Sequence, residues 1–220
     1  MSAGKSKAEG RTPKAVAALL DILRRTYPEA HCELDFSNPL ELLVATILSA
    51  QCTDKRVNIV AKALFRRCRT AQDYAEIAPE ELEALVQSTG FFRAKTKNIR
   101  ACCAEIVALH GGEVPRSMDE LTHLAGVGRK TANVVLGNAF NENVGVVVDT
   151  HVSRLSQRLG LTRETTPEKI EQDLMRIIPR EQWALFSHLL IWHGRRRCTA
   201  RKPNCAECEA AALCPSAGKV

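Results

Sequence analysis

The stretch Leu124–Leu136, "LAGVGRKTANVVL", places a Gly-Val-Gly turn directly ahead of a basic pair and an apolar run with helical spacing. Upstream, Ser117 and Glu120 have the spacing of a capping box, which predicts a short helix that ends near Leu124. The apolar period after the turn predicts a second helix from about 129 to 140. A short helix, a glycine turn and a second helix together form a helix-hairpin-helix arrangement.

Two interpretations of this turn are open from the residues alone. Gly126 and Gly128 permit positive φ and a close approach of another backbone, and the first amides of the following helix have no partner inside it. Such a turn can bind a phosphate through backbone N–H groups, a contact that carries no base information and suits a protein that scans DNA. A tight corner without a ligand is the commoner reason for Gly-x-Gly. The adjacent Arg129 and Lys130 favour phosphate binding without deciding it.

The remainder of the chain also has helical periodicity. Short apolar-periodic runs with polar caps or an initial proline predict about ten short helices joined by short loops. The one strand-like run, "VGVVV" at 144–148, has no partner strand, so we expect it to be a buried connector. The fold class expected from the sequence is therefore all-α.

Composition and charge narrow the class of protein. The net charge of +6 is a modest basic excess that suits a polyanionic partner but does not require one. The segment 193–202, "HGRRRCTARK", carries five arginines and lysines and no acid. The sequence contains no run of 18 apolar residues, so no membrane-spanning helix is predicted. Residues 1–13 read as a flexible basic tail rather than a signal peptide, so we expect a cytoplasmic protein with reduced thiols, nucleoid-associated if it is bacterial.

Four of the nine cysteines lie close together near the C-terminus, with the spacing Cys198-x6-Cys205-x2-Cys208-x5-Cys214. Two disulfides are disfavoured in a reducing compartment. A structural zinc usually takes two Cys-x2-Cys pairs, and only one such pair is present. A 4Fe-4S cluster accepts four cysteines at more varied spacings, so it is the favoured interpretation.

The loop between Cys198 and Cys205 carries Arg201 and Lys202. A metal centre would stiffen this short closed loop and present both charges outward. The arrangement is typical of a phosphate-binding device rather than an electron-transfer surface. The five other cysteines are scattered in apolar helical patterns, where buried and inert thiols are expected.

Taken together and in this order, "LAGVGRKTANVVL", "VDTHVSRL" at 148–155 and the four-cysteine spacing resemble the endonuclease III family. These are helix-hairpin-helix DNA glycosylases with a 4Fe-4S cluster and an associated lyase activity. The resemblance extends from about Lys14 to Cys214. One departure is Ala125, where the family usually has proline, and we expect it to loosen the start of the hairpin.

The resemblance implies a two-lobed helix-hairpin-helix glycosylase fold. One lobe is a helical barrel at 31–142, and the other joins 14–30 to 143–220 and holds the cluster. It also implies a bifunctional enzyme that removes oxidised pyrimidines from duplex DNA and cleaves the strand by β-elimination through a Schiff base on Lys130. Asp149 would face Lys130 across the cleft between the lobes. The implied partner is double-stranded DNA that contains a damaged base or an abasic site. No membrane partner is expected, and because no apolar stripe of the sequence remains unassigned we expect a monomer.

Site residues carried over from the family complete the expectation. Lys130 attacks only as the free amine, a form that Arg129, the helix N-terminus and partial burial would favour. Asp149 would stabilise positive charge on the sugar, although an aspartate at this place is usually only a helix cap. The other implied DNA contacts are Gln51, which fills the gap left by a flipped base, Phe91 as a wedge where relatives often have leucine, Gly126, Gly128, Arg129, His151, Arg201 and Lys202. The implied metal ligands are Cys198, Cys205, Cys208 and Cys214.

Two alternative functions remain from the sequence. The first is a monofunctional glycosylase for mismatched adenine or thymine, against which Lys130 argues, because such relatives generally lack a lysine at this position. The second is a non-catalytic iron–sulfur protein that binds DNA or senses redox state. It would need the hairpin and the cysteines but not Lys130.

Overall fold

The computed structural model describes residues 12–220, which fold into eleven α-helices and three short 3-10 helices without a β-strand. This confirms the expected all-α class. The α-helices are α1 (Pro13–Thr26), α2 (Pro39–Leu48), α3 (Asp54–Arg67), α4 (Ala71–Glu76), α5 (Pro79–Val86), α6 (Phe92–His110), α7 (Met118–His123), α8 (Arg129–Ala139), α9 (Thr150–Arg158), α10 (Pro167–Ile177) and α11 (Trp183–Arg196). None of them combines the length and the hydropathy needed to cross a bilayer.

The predicted basic tail lies mostly outside the described residues, which begin at Thr12. Of its last two residues, Thr12 is the N-cap of α1 and Pro13 belongs to the helix. The Thr12 hydroxyl accepts a hydrogen bond from the Ala15 N–H at 3.3 Å, and Pro13 is the first helical residue. Proline is favoured at that position because its missing N–H would have no partner there.

Two compact units divide the described chain. The hairpin unit is Cys32–Val144 and contains α2 to α8, whereas the cysteine unit comprises 12–31 and Gly145–Val220 and contains α1 and α9 to α11. Each unit has an apolar core of its own.

The centre of the hairpin unit is α2. All residues from Leu42 to Leu48 are buried, since the helix is apolar around its whole circumference and is covered by α3, α6 and α8. The stretch "SNPLELL" at 37–43 predicts a helix that begins at Pro39 with Asn38 as its cap. The structure confirms this, since the Asn38 side chain accepts a hydrogen bond from the Glu41 N–H at 2.9 Å and Pro39 is the first helical residue.

Two features of this unit differ from the sequence expectation. The helix α4 was not predicted, although it has a local signal: Thr70 accepts from the Asp73 N–H at 3.1 Å, and the Asp73 carboxylate accepts from the Thr70 N–H at 2.9 Å. This is a complete capping box. The apolar period of the sequence predicts a helix from about Lys95 to His110. The observed helix α6 begins three residues earlier, at Phe92.

The cysteine unit packs α1 and α9 against α11. The predicted buried connector is confirmed, because Val146, Val147 and Val148 are buried without strand structure. Gly194 in α11 permits a close contact with α9, since a Cβ at this position would lie 2.8 Å from Nδ1 of His151.

Candidate functional site

The hairpin that the sequence predicts is present, with α7 and α8 joined by the glycine turn. Gly126 has φ of 74°, in the left-handed region that favours glycine. Gly128 is extended and is the N-cap of α8. A Cβ built on Gly126 would also lie 2.7 Å from Cβ of Asn98 in α6, so both the backbone conformation and the close approach of α6 require glycine here.

The alanine that departs from the family pattern has a specific contact. The N–H of Ala125 donates a hydrogen bond to Oε2 of Glu105 at 2.7 Å. Proline has no N–H and could not make this bond. The alanine therefore ties the turn to α6, a contact that argues against the expectation that it loosens the start of the hairpin.

This contact predicts that Ala125→Pro destabilises the hairpin unit. The lost hydrogen bond to a charged acceptor is worth about 1.5–3 kcal/mol, whereas proline recovers about 0.4–1 kcal/mol by restricting the unfolded chain. We expect a net loss of about 1–2 kcal/mol in the free energy of unfolding, measured by urea denaturation. Ala125→Ser, which keeps the N–H, is the control. A proline variant as stable as the serine variant would show that the Glu105 contact contributes little.

Lys130 is the second residue of α8 and is exposed, as is Arg129 before it. The expectation of partial burial at Lys130 is contradicted. The α8 N-terminus has no side-chain cap and no acidic residue in its first turn, which favours the approach of an anion to this helix end.

Asp149 is the N-cap of α9 and is half-buried. Its Oδ1 accepts a hydrogen bond from the Val152 N–H at 2.8 Å, while Oδ2 accepts none from residues 12–220. The cap therefore holds the carboxylate in one orientation and leaves Oδ2 able to contact a bound substrate.

His151 lies two positions after Asp149. Its Nδ1 accepts a hydrogen bond from the Arg154 guanidinium at 3.2 Å, so this histidine has a local structural partner.

Gln51 and Phe91 are exposed and share an unusual backbone conformation. Their φ angles are 53° and 48°, in a region that costs a non-glycine residue on the order of 1–2 kcal/mol. Residues held in this way concentrate at ligand-binding sites. Phe91 is 65% exposed, which excludes the core role of most phenylalanines, whereas Phe92 packs against the core of the hairpin unit.

The four C-terminal cysteines line one small pocket in the cysteine unit. All four are half-buried free thiols, so none of them forms a disulfide bond in this structure. Among residues 12–220, no three His, Cys, Asp or Glu side chains are placed to hold a single metal ion. A zinc site needs ligands that converge on one point, whereas in a four-iron cluster each cysteine binds its own iron around a larger body. Four cysteines around a cavity fit the cluster better than zinc.

Two of these sulfurs lie within hydrogen-bond distance of side-chain nitrogens. Nη1 of Arg158 donates to Sγ of Cys198 at 3.3 Å. Nε2 of His193 lies 3.6 Å from Sγ of Cys208, and its Nδ1 lies 2.9 Å from the hydroxyl of Tyr27. Burial lowers the pKa of His193 to about 4, so the ring is neutral at pH 7. In the tautomer whose Nδ1 accepts a hydrogen bond from the tyrosine hydroxyl, the proton on Nε2 points at the sulfur.

The protonation state of the cysteine thiols depends on whether a metal is bound. Burial raises the pKa of Cys208, so without a metal this thiol stays protonated at neutral pH. A coordinating metal would deprotonate it. The N–H donors would then stabilise the thiolates that result.

The loop between Cys198 and Cys205 is held by hydrogen bonds from α9 and by one hydrogen bond within the loop. Arg158 donates to the carbonyls of Thr199 and Ala200 at 2.8 and 2.9 Å, and the Thr199 hydroxyl donates to the Lys202 carbonyl at 2.7 Å. Arg201 and Lys202 are exposed.

Arg197, in the same basic run, is instead paired with Glu207 and Glu209 at 3.2 and 2.8 Å. Its charge is therefore compensated inside the protein.

The predicted residues form two groups, one in each unit. The hairpin unit holds Gln51, Phe91, Gly126, Gly128, Arg129 and Lys130. The cysteine unit holds Asp149, His151, Arg201, Lys202, Cys198, Cys205, Cys208 and Cys214. Sequence reasoning missed the supporting residues Lys95, Glu105, Arg158 and His193. Most of their partners lie 15 to 47 positions away in the chain, so no local pattern marks them.

Comparison with known proteins gives a consistent picture. Residues 44–180 match the model of the HhH-GPD superfamily base excision DNA repair proteins. Endonuclease III of Synechocystis sp. is 55% identical over 99% of both chains. Endonuclease III of Bacillus subtilis is 47% identical over 91% of this chain and 92% of its own.

Solved structures agree. A trapped covalent intermediate of an endonuclease III with DNA is 46% identical, covers 94% of this chain and 97% of its own, and has a TM-score of 0.89. A thermostable thymine-DNA glycosylase has a TM-score of 0.82 at 21% identity over 94% of this chain and 98% of its own, which shows a shared fold. The chain therefore belongs to the HhH-GPD superfamily of base excision DNA repair proteins and, within it, to the endonuclease III family.

Proposed function

We propose that this chain removes oxidised pyrimidines from duplex DNA and then cleaves the strand by β-elimination, with the amine of Lys130 as the nucleophile. The observation that carries the proposal is the relative at 46% identity whose structure holds a covalent endonuclease III–DNA intermediate. A covalent intermediate requires a nucleophile on the protein. Lys130 lies exposed in the first turn of the second hairpin helix, beside amides that can hold a phosphate.

The hairpin would position the DNA backbone. The open N-terminus of α8 and the turn around Gly128 supply backbone donors, and a Cβ at Gly128 would meet nothing within 4 Å, which leaves room for a phosphate. Arg129 adds positive charge. Phosphate contacts fix register without reading bases, as a scanning enzyme needs.

The chemical step proceeds from the free amine. Nζ of Lys130 attacks C1′, the C1′–N glycosidic bond breaks, and the electron pair leaves with the base, which takes up a proton. The amine nitrogen passes one proton to the Asp149 carboxylate. The C1′–O4′ bond then breaks as the nitrogen lone pair forms the C1′=N bond, and O4′ takes up that proton, which gives the protonated Schiff base. Removal of a proton from C2′ then expels the 3′ phosphate oxygen, which cleaves the strand. Bound DNA would exclude water from the amine, which is exposed in the free protein.

Asp149 would act on the same sugar. Its carboxylate is fixed by the helix cap, and Oδ2 can stabilise the positive charge that develops on the ring. The same oxygen can accept the proton that the amine loses.

Cys198, Cys205, Cys208 and Cys214 would hold a 4Fe-4S cluster, which supplies a rigid centre for the C-terminal loop when bound. Arg158 and His193 would donate hydrogen bonds to the ligating sulfurs. The exposed side chains of Arg201 and Lys202 would then bind DNA phosphates.

The cofactor assignment predicts iron rather than zinc. The purified protein is expected to hold about four irons and to absorb in the visible near 400 nm, roughly where thiolate-to-iron charge transfer lies. Metal analysis and an absorption spectrum check this. A colourless protein with stoichiometric zinc would refute it.

The function is tested with duplexes that carry a thymine glycol or an abasic site, incubated with the protein and borohydride. We expect a covalent protein–DNA complex with both and none with undamaged DNA. Base release without strand cleavage or trapping would indicate the monofunctional alternative. Binding without any change in the DNA would indicate the non-catalytic one. We expect the active species to be a monomer in the cytoplasm.

A further inference from the structure

Lys95, in the first turns of α6, is a buried lysine that the mechanism above does not use. It is 4% exposed, and burial lowers its pKa. Among residues 12–220, no carboxylate forms an ion pair with it. A buried ammonium group loses its solvation by water, and here no carboxylate offsets that cost. The hydrogen bonds that it donates must therefore stabilise it.

The ammonium of Lys95 donates to two backbone carbonyls, that of Leu48 at 2.7 Å and that of Thr89 at 2.8 Å. Leu48 is the last residue of α2, and Thr89 is the last residue of the 3-10 helix Gln87–Thr89. Carbonyls at the end of a helix lack a partner within it and carry the negative end of its dipole. One buried cation thus stabilises both helix ends.

Each of these helix ends leads directly into one of the two exposed residues with left-handed backbone. Gln51 follows Leu48 by three positions, and Phe91 follows Thr89 by two. The N–H of Lys95 also donates to the Phe91 carbonyl, at 3.1 Å. The two strained loops are therefore connected through a single side chain.

We propose that Lys95 is a positioning residue that holds the Gln51 and Phe91 loops in a fixed register, so that both side chains enter the DNA together. The proposal rests on the function proposed above. Extruding a base costs a few kcal/mol of stacking and pairing, which inserted side chains must offset. Two loops that moved independently would each lose conformational entropy on insertion, and a shared anchor removes part of that cost before DNA binds.

The test compares Lys95→Met, which keeps the apolar stem but removes the donors, with Lys62→Met. Lys62 is an exposed lysine of α3 in the same unit, so both variants lose one charge. Each change is also made in a Gln51→Ala/Phe91→Ala background. The readouts are single-turnover excision of thymine glycol, fluorescence of 2-aminopurine opposite the lesion, and borohydride trapping at a preformed abasic site.

We expect Lys95→Met to slow excision and the fluorescence change about tenfold or more in the otherwise unaltered protein. In the double-alanine background it should cause little further loss, since there is nothing left to position. Trapping at the abasic site, where no base needs to be extruded, should fall less. Lys62→Met should behave like the wild type.

Equal losses from Lys95→Met in both backgrounds would reduce Lys95 to a structural residue and overturn the proposal, as would an excision rate equal to that of Lys62→Met. If Lys95→Met does not fold, Lys95→Gln, whose amide can still donate to one carbonyl, is judged by the same comparison. Failure of the wild-type protein to trap at an abasic site would instead overturn the proposed function, independently of Lys95.

Discussion

Lys130→Gln is expected to abolish covalent trapping on abasic DNA and to lower strand cleavage by about a thousandfold or more, because no other group would supply the attacking amine. The side chain lies on the surface at the start of α8, so its replacement leaves the core of the hairpin unit intact. The measurement is the yield of borohydride-reduced complex together with the single-turnover rate of cleavage.

The variant Lys130→Arg distinguishes the role of Lys130 as a nucleophile from the role of its positive charge. The arginine keeps the positive charge and therefore the affinity for phosphate, but a guanidinium does not deprotonate at neutral pH and cannot form the Schiff base. Both variants should lose trapping, while only the glutamine variant should also weaken binding to undamaged duplex in a salt-dependent way. Trapping that survives in either variant would assign the nucleophile to another residue.

Asp149→Asn has the second largest expected effect, a fall in excision rate of about a hundredfold. Asparagine is as good an N-cap as aspartate, so the hydrogen bond from Val152 and the start of α9 should survive. The charge that would stabilise the developing oxocarbenium ion is removed. Single-turnover excision of thymine glycol, measured beside thermal unfolding, separates the two roles.

Asp149→Ala is the comparison, since it removes both the cap and the charge. It should unfold at a lower temperature, with a loss of about 1 kcal/mol from the cap, and excise as slowly as Asp149→Asn. An asparagine variant with wild-type excision would leave Asp149 as a helix cap alone.

Much of the fold could be predicted because its determinants are local. Asn38-Pro39 marks the start of α2, and Ser117 with Glu120 marks the start of α7, as the structure has them. The helix α4 was missed although its capping box is equally local, since its six residues show too little apolar period to stand out. The first turn of α6 was missed because a residue in left-handed conformation precedes it, without an ordinary N-cap side chain.

Some features of the candidate site could likewise be predicted from the sequence, and others could not. The glycine turn, the basic pair after it and the four cysteines are recognisable from spacing, because each lies within a short segment. The exposure of Lys130 could not be read from the sequence, since burial depends on what the rest of the chain covers. The contact from Ala125 to Glu105, which argues against the expected effect of the missing proline, could not be read from the sequence either.

By itself the amino-acid sequence determined the helices, their caps, the hairpin and the clustering of thiols, since these follow from interactions between residues a few positions apart. Only the tertiary structure decided which distant groups support them. The Lys95 ammonium reaches a carbonyl 47 residues away, and Arg158 reaches the Cys198 sulfur over 40 residues. Such pairings depend on how the helices of each unit pack, and no periodicity along the chain encodes that geometry.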